Sequence, residues 1–147
     1  MTPVVALDLC YPDMVDEHGE RLEGKSSCTP VLVGKCSNTK AIFAHLLPSK
    51  EVNNKLVQAV IKDIANLGHV AVVIKTDQEP ATKNLANRIQ EARVQSTLVE
   101  HSAQYEPQSN GGAERGVRTV KELICTYKDA IESRLKAPLP ENHPIWA

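Results

Sequence analysis

Aromatic residues are nearly missing from this 147-residue sequence: they make up 3% of it, as Phe43, Tyr11, Tyr105, Tyr127 and Trp146. Any core must therefore be built from Val, Ile, Leu and Ala. Cysteine is sparse and scattered: Cys10, Cys28, Cys36 and Cys125 form no C-x-x-C pair. The five histidines form no H-x₃₋₅-H set, which excludes a structural zinc site of the usual spacing. Reduced thiols in an intracellular setting are the plain reading. No apolar run approaches the roughly 20 residues of a membrane helix, and no segment reads as a signal peptide. Neither sign of charge dominates. A net charge of −1 argues against coating nucleic acid by bulk charge. Internal repeats and low-complexity segments are also missing.

What is present fits one domain with a genuine core: 41% of residues are apolar and 24% charged. The charge is unevenly laid out. Between 8 and 23 lie Asp8, Asp13, Asp16, Glu17, Glu20 and Glu23 against Arg21 alone, whereas 115–121 is basic. Any contact with nucleic acid would be local.

Residues 3–11 alternate as a strand, with Ala6, Asp8 and Cys10 on one face and Val5, Leu7 and Leu9 on the other. A polar, acidic stretch (12–28) reads as a hairpin loop. Strands at 29–36 and 41–48 follow, joined by the turn Ser37–Lys40. After Pro48 the period changes: Ser49 is a candidate N-cap, and Leu56, Val57, Val60, Ile61, Ile64 and Leu67 recur at helical spacing until Gly68. The unbroken apolar run at 70–75 suits a parallel strand buried on both faces. Pro80 opens a helix at its favoured first position, with Ala81, Leu85, Ile89 and Ala92 on one face. A short strand at 96–100 leads to a long helix from about Gly112 to Lys136. Its buried side is expected to carry Val117, Val120, Ile124, Ile131 and Leu135. The order β-β-β-α-β-α-β-α predicts a five-stranded mixed sheet, ordered 3-2-1-4-5 and flanked by helices.

Three acids sit in unusual places, and each has two readings. Asp8 lies mid-strand among apolar residues, so it is either a salt-bridged core acid or a functional carboxylate. Asp77 stands just past the carboxyl end of the buried strand, where open α/β sheets bind ligands, yet it could also cap the Pro80 helix. Glu114 borders the buried side of the last helix in a stripe with Arg118, Lys121 and Lys128; an i,i+4 pair with Arg118 is its ordinary role. Taken together, the three can converge at one end of the sheet. Three close anions repel unless divalent cations lie between them, and hard carboxylate ligands match Mg²⁺ or Mn²⁺. Two such ions can clamp the attacking and leaving oxygens of a phosphoryl transfer.

Asp8, Asp77 and Glu114, with 36 residues (78 to 113) between the last two, resemble the triad of retroviral and retrotransposon integrase cores and related DDE transposases. The stretch Tyr105 to Arg115, "YEPQSNGGAER", is similar to the family's motif before its last acid, and "VLVGKCSNTKAIFAHLLPSK" (31–50) to its second and third strands. The resemblance covers residues 3 to 136. It implies an RNase H-like fold, two Mg²⁺ or Mn²⁺ ions held by Asp8, Asp77 and Glu114, and 3′-end processing and strand transfer of DNA. It further implies a homo-oligomer, DNA ends and a target duplex as partners, and an intracellular life that is nuclear at integration. Gln108, Asn110, Arg115, Arg118 and Lys121 are the candidate DNA contacts, with Arg118 and Lys121 the best placed and Arg115 off the stripe. Gly111 and Gly112 would let the preceding loop deliver the helix start toward the metals.

The sequence departs from the family's commonest pattern after Asp77, where Gln78-Glu79 replaces Asn-Gly. Residues 1–136 read as the catalytic core and 137–147 as the start of a truncated element. Two rivals stand beside this reading. A cellular nuclease of the same fold would take a fourth acid from the first helix, where Glu51 and Asp63 lie off the apolar stripe. A non-catalytic or domesticated core would only bind nucleic acid or protein.

Overall fold

The fold is arranged around β1 (Val4–Cys10), whose alternation divides the molecule into two layers. A computed structural model of the chain describes residues 1–11, 30–47, 51–103 and 111–139. β1 pairs antiparallel with β2 (Val31–Cys36), which pairs antiparallel with β3 (Ile42–Leu46). On its other side β1 runs parallel to β4 (Val72–Thr76), and β4 parallel to β5 (Thr97–His101). The sheet order is β3-β2-β1-β4-β5, as the sequence predicts.

Val5 and Leu7, with Leu32, Val72 and Ile74 from neighbouring strands, bury one face against α1 (Asn54–Asn66) and α2 (Pro80–Ala92). The opposite face places Cys10, Val31 and Val33 against α3 (Gly111–Leu135). Asp8 belongs to this second face by alternation. The Phe43 ring covers the cross-strand Gly34, where a Cβ would lie 2.2 Å from the ring. This is how one scarce aromatic fills the gap left by a strand glycine.

Several expected boundaries move. Asn53, not Ser49, caps α1: its side chain accepts from the Leu56 amide at 2.9 Å, and Ser49 lies outside the described residues. Gly68 does follow α1 in the left-handed conformation (φ 77°). The buried strand begins at Val72, leaving Val70 exposed in the connection. α2 starts at Pro80, but its buried face turns toward Thr82, Leu85, Ala86 and Ile89 and leaves Ala92 exposed. In α3 the buried residues are Ala113, Gly116 and Val120, with Val117 and Ile124 packed beside them. Leu135 is exposed, contrary to its expected place in the core. The reason is length. The 25-residue α3 reaches about 37 Å, whereas the seven-residue β1 reaches about 23 Å, so the helix runs past the sheet that covers it.

Candidate active site

Asp8 and Asp77 are brought side by side by the parallel pairing of β1 and β4. Leu7 is level with Thr76, the last residue of β4, so the next residue on each chain is an aspartate. Asp8 is half-buried on the α3 face. Its carboxyl is pushed up to about 6, first by burial and then by the charge of Asp77, against a lowering hydrogen bond from the Leu9 backbone. Glu79 and Glu114 raise it further. Among the described residues no cation acts on it and it forms no ion pair, which goes against the salt-bridged reading: a paired carboxylate is lowered, not raised.

Asp77 is not the N-cap of α2: that place falls to Glu79, which makes no side-chain cap bond, and Asp77 stands two residues earlier. Its Oδ1 accepts from the Glu79 amide at 3.1 Å and from the hydroxyl of fully buried Thr82. The Glu79 carbonyl oxygen, 2.9 Å from the same hydroxyl, is its alternative acceptor. The segment is pinned from the other side as well, where the Gln78 side-chain amide donates to the Ser102 carbonyl at 2.5 Å and the Ser102 amide to the Thr76 carbonyl at 2.7 Å. These bonds and ligation are compatible, because a carboxylate has a second oxygen and ligating carboxylates are commonly held by such outer hydrogen bonds.

Glu114 stands in the first turn of α3 and is exposed instead of bordering the buried side. It makes no ion pair with Arg118 among the described residues. Gly111 and Gly112 already belong to the helix, and neither has a positive φ, so the conformational freedom expected of them is not used. Arg115 donates from Nε to the Gly111 carbonyl at 3.0 Å, which fits its place off the stripe. Arg118 is exposed; Lys121 is half-buried and acts on the Cys10 thiol, which burial raises and Lys121 lowers. Gln108 and Asn110 lie outside the described residues.

The structure thus gathers Asp8 and Asp77, keeps Glu114 within electrostatic reach, and adds Glu79. Sequence reasoning noted Glu79 only as a departure from a pattern. The available signal was its position two residues past Asp77, on the same tight exit from β4. Among the described residues no three His, Cys, Asp or Glu side chains sit together closely enough to hold an ion. The donor set nevertheless suits a hard divalent cation: it is all carboxylate, its other members repel Asp8, and no described cation pairs with it. The Cys36 thiol is shifted as well. Burial raises it, but hydrogen bonds from Thr39 and from His69, whose Nε2 is 3.2 Å from Sγ, bring it down to about 7.

Comparison with known proteins bears on the fold alone. No protein-family model matches the chain, and no curated protein matches its sequence. Among solved structures it is similar to a chain of the simian T-cell lymphotropic virus intasome in complex with PP2A regulatory subunit B56 gamma, by cryoEM, with TM-score 0.60 and 17% identity. That likeness covers 86% of this chain and 41% of the intasome chain, so the present sequence spans about two fifths of its length. A fowlpox virus Holliday junction resolvase is matched over 90% of this chain and 85% of its own, at 10% identity and a TM-score of 0.31, too low to argue from. The sheet order, the two flanking layers and the intasome likeness agree on an RNase H-like fold.

Proposed function

We propose that residues 1–136 form the catalytic core of an integrase-type polynucleotidyl transferase, which processes DNA 3′ ends and joins them to a target duplex. One observation carries the reading. Two aspartates lie side by side at the exit of the central parallel strands, with no ion pair among the described residues, and one is raised to about 6 by burial and by the other. A structural acid pair of that kind costs stability, and functional sites are where such costs are kept. The fold shared with an intasome chain supports it.

Asp8, Asp77 and Glu114 would hold Mg²⁺ or Mn²⁺. Such ions, when bound, stabilise the charge that builds on a phosphodiester under attack by water or a 3′-hydroxyl. The chain's own work is positional. Thr82 and the Glu79 amide fix the Asp77 carboxylate, and the Gln78–Ser102 bond holds the strand exit rigid. Arg118 and Lys121 offer phosphate contacts along α3. Joining two DNA ends requires more than one copy of the chain, so the proposed partners include a second copy.

Hydrolysis without strand transfer is the second reading, favoured by Glu79 as a fourth acid acting on Asp8. That acid does not come from α1, as ribonuclease H-type sites would have it. Asp63 of α1 is tied to His45 Nε2 at 2.5 Å on the opposite face of the sheet. The test is incubation of the chain with labelled duplex oligonucleotides and Mn²⁺ or Mg²⁺. Metal-dependent joined products that fall at least about a hundredfold in Asp8→Asn and Asp77→Asn are expected. Shortened products alone would select the nuclease; unchanged products in both variants would refute the site.

A further inference from the structure

Beside the acids lies a cleft of about 400 Å³ on the α3 face of the sheet, lined by four cations and no carboxylate. Lys35, Lys40, Lys75 and Arg115 reach it from β2, the turn after it, β4 and α3. The sheet register builds it: Ala6 of β1 is level with Lys35 on one side and Lys75 on the other, which sets two lysines astride a residue too small to fill the gap. α3 closes the cleft through Gly112, with Arg115 beside it. Gly116 lets the helix lie on the Lys35 stem, where a Cβ would be 3.4 Å from Lys35 Cβ. Lys40 stands in the left-handed conformation (φ 62°), and its Nζ donates to the Ser37 carbonyl.

None of these cations forms an ion pair with a carboxylate among the described residues. Glu100, next after Lys75 in the same row, is exposed and does not line the cleft. Four like charges around an uncompensated hollow repel one another, and a bound polyanion relieves that repulsion. The placement says which one. Ala6, Asp8 and Cys10 point the same way along β1, each pair about 6–7 Å apart. The lysine row lies level with Ala6, Asp8 comes next, and Lys121 acts on Cys10 beyond it. Cations therefore stand on both sides of half-buried Asp8 along the direction of β1.

We infer that the Lys35–Lys75–Arg115 cleft is a phosphate-backbone subsite that holds nucleic acid on the amino-terminal side of Asp8. This rests on the nucleic-acid reading above and extends it to residues outside the acid triad and the α3 stripe. The cleft takes phosphates without reading bases, since nothing but cations and small residues lines it.

The test uses the full chain, a labelled duplex of about 20 base pairs, and binding titrations between about 50 and 200 mM salt. The double variant Lys35→Gln/Lys75→Gln should bind at least about tenfold more weakly near 0.1 M salt, with the salt slope smaller by about two ions' worth. Lys35→Arg/Lys75→Arg should restore both. Gly112→Glu is a second probe that spares the lysine stems. A Cβ there meets nothing within 4 Å on a helical backbone, and the substitution brings an acid to a residue that lines the cleft, so binding should fall while the melting temperature holds. Parental affinity and slope in both the double variant and Gly112→Glu would overturn the subsite and leave the catalytic reading intact. Weakened binding by a protein whose parent joins and cleaves nothing would keep the subsite and refute the catalysis. A parent that binds no duplex at all refutes both.

Discussion

Asp8 is where burial and charge oppose the fold most directly. Unfolded, it ionises near 3.8; folded, at about 6. The native state therefore holds this proton more tightly. Below the unfolded value both states are protonated and Asp8 is neutral to stability. Between the two values the unfolded chain gains by ionising while the native state does not, and above about 6 the penalty is complete. The shift corresponds to at most about 3 kcal/mol, which water around a half-buried carboxylate reduces to about 1–2. Asp8→Asn should thus melt several degrees above the parent near pH 7.5 without metal, and the gap should close toward pH 4. Thermal melts of both proteins in chelator across that range check it. Parallel curves would mean that Asp8 is not under the burial and repulsion described. Thr82 works beside it in the opposite sense, a buried hydroxyl that holds Asp77 still.

Within α3, one side is bound to the sheet and the adjoining stripe is offered outward. Val120→Ala, on the buried side, should cost about 1–3 kcal/mol in a denaturant titration. Arg118→Ala and Lys121→Ala should change stability by less than about 1 kcal/mol, yet each should reduce the salt slope of duplex binding by about one ion. Stability lost with binding unchanged would make the stripe structural. The contrast shows what could be read from sequence. Alternation in β1, the apolar run of β4, Pro80 and Gly68 each announce an element through their own neighbours, so the topology was legible. Asn53 displaced Ser49 because both are good caps and only packing chooses. Leu135 misled because helical period says which side is apolar, not where the covering sheet ends. The Asp8–Asp77 juxtaposition followed from topology. The Lys35–Ala6–Lys75 row did not, because it depends on the register of three strands that are distant in sequence. Glu79 was hidden for a similar reason: its effect on Asp8 crosses from the β4 exit to β1.

For the molecule as a whole, the acid-rich strand exit and the basic cleft form a charge arrangement that folding alone leaves unsatisfied. Asp77, Glu79 and Glu114 all press on Asp8, and among the described residues no cation answers them. A divalent ion that binds the native state and not the unfolded chain must stabilise the fold by linkage, about 2.7 kcal/mol at a hundredfold excess over its dissociation constant. For a chain of 147 residues that is a rise of roughly 5–10 °C in Tm. Since no three ligands are yet gathered among the described residues, part of the binding energy must draw Glu114 inward from its exposed position. The observed rise would then fall short of what two preset aspartates and a preset glutamate would give. Melts in Mg²⁺ or Mn²⁺ against chelator should show this rise in the parent. Asp8→Asn and Asp77→Asn should lose most of it, and Glu114→Gln only part, because Glu114 must first be moved. An equal loss in all three would mean that the glutamate is already in place when the ion arrives. No rise in the parent would remove the metal from the site and, with it, the reason for keeping Asp8 beside three other acids.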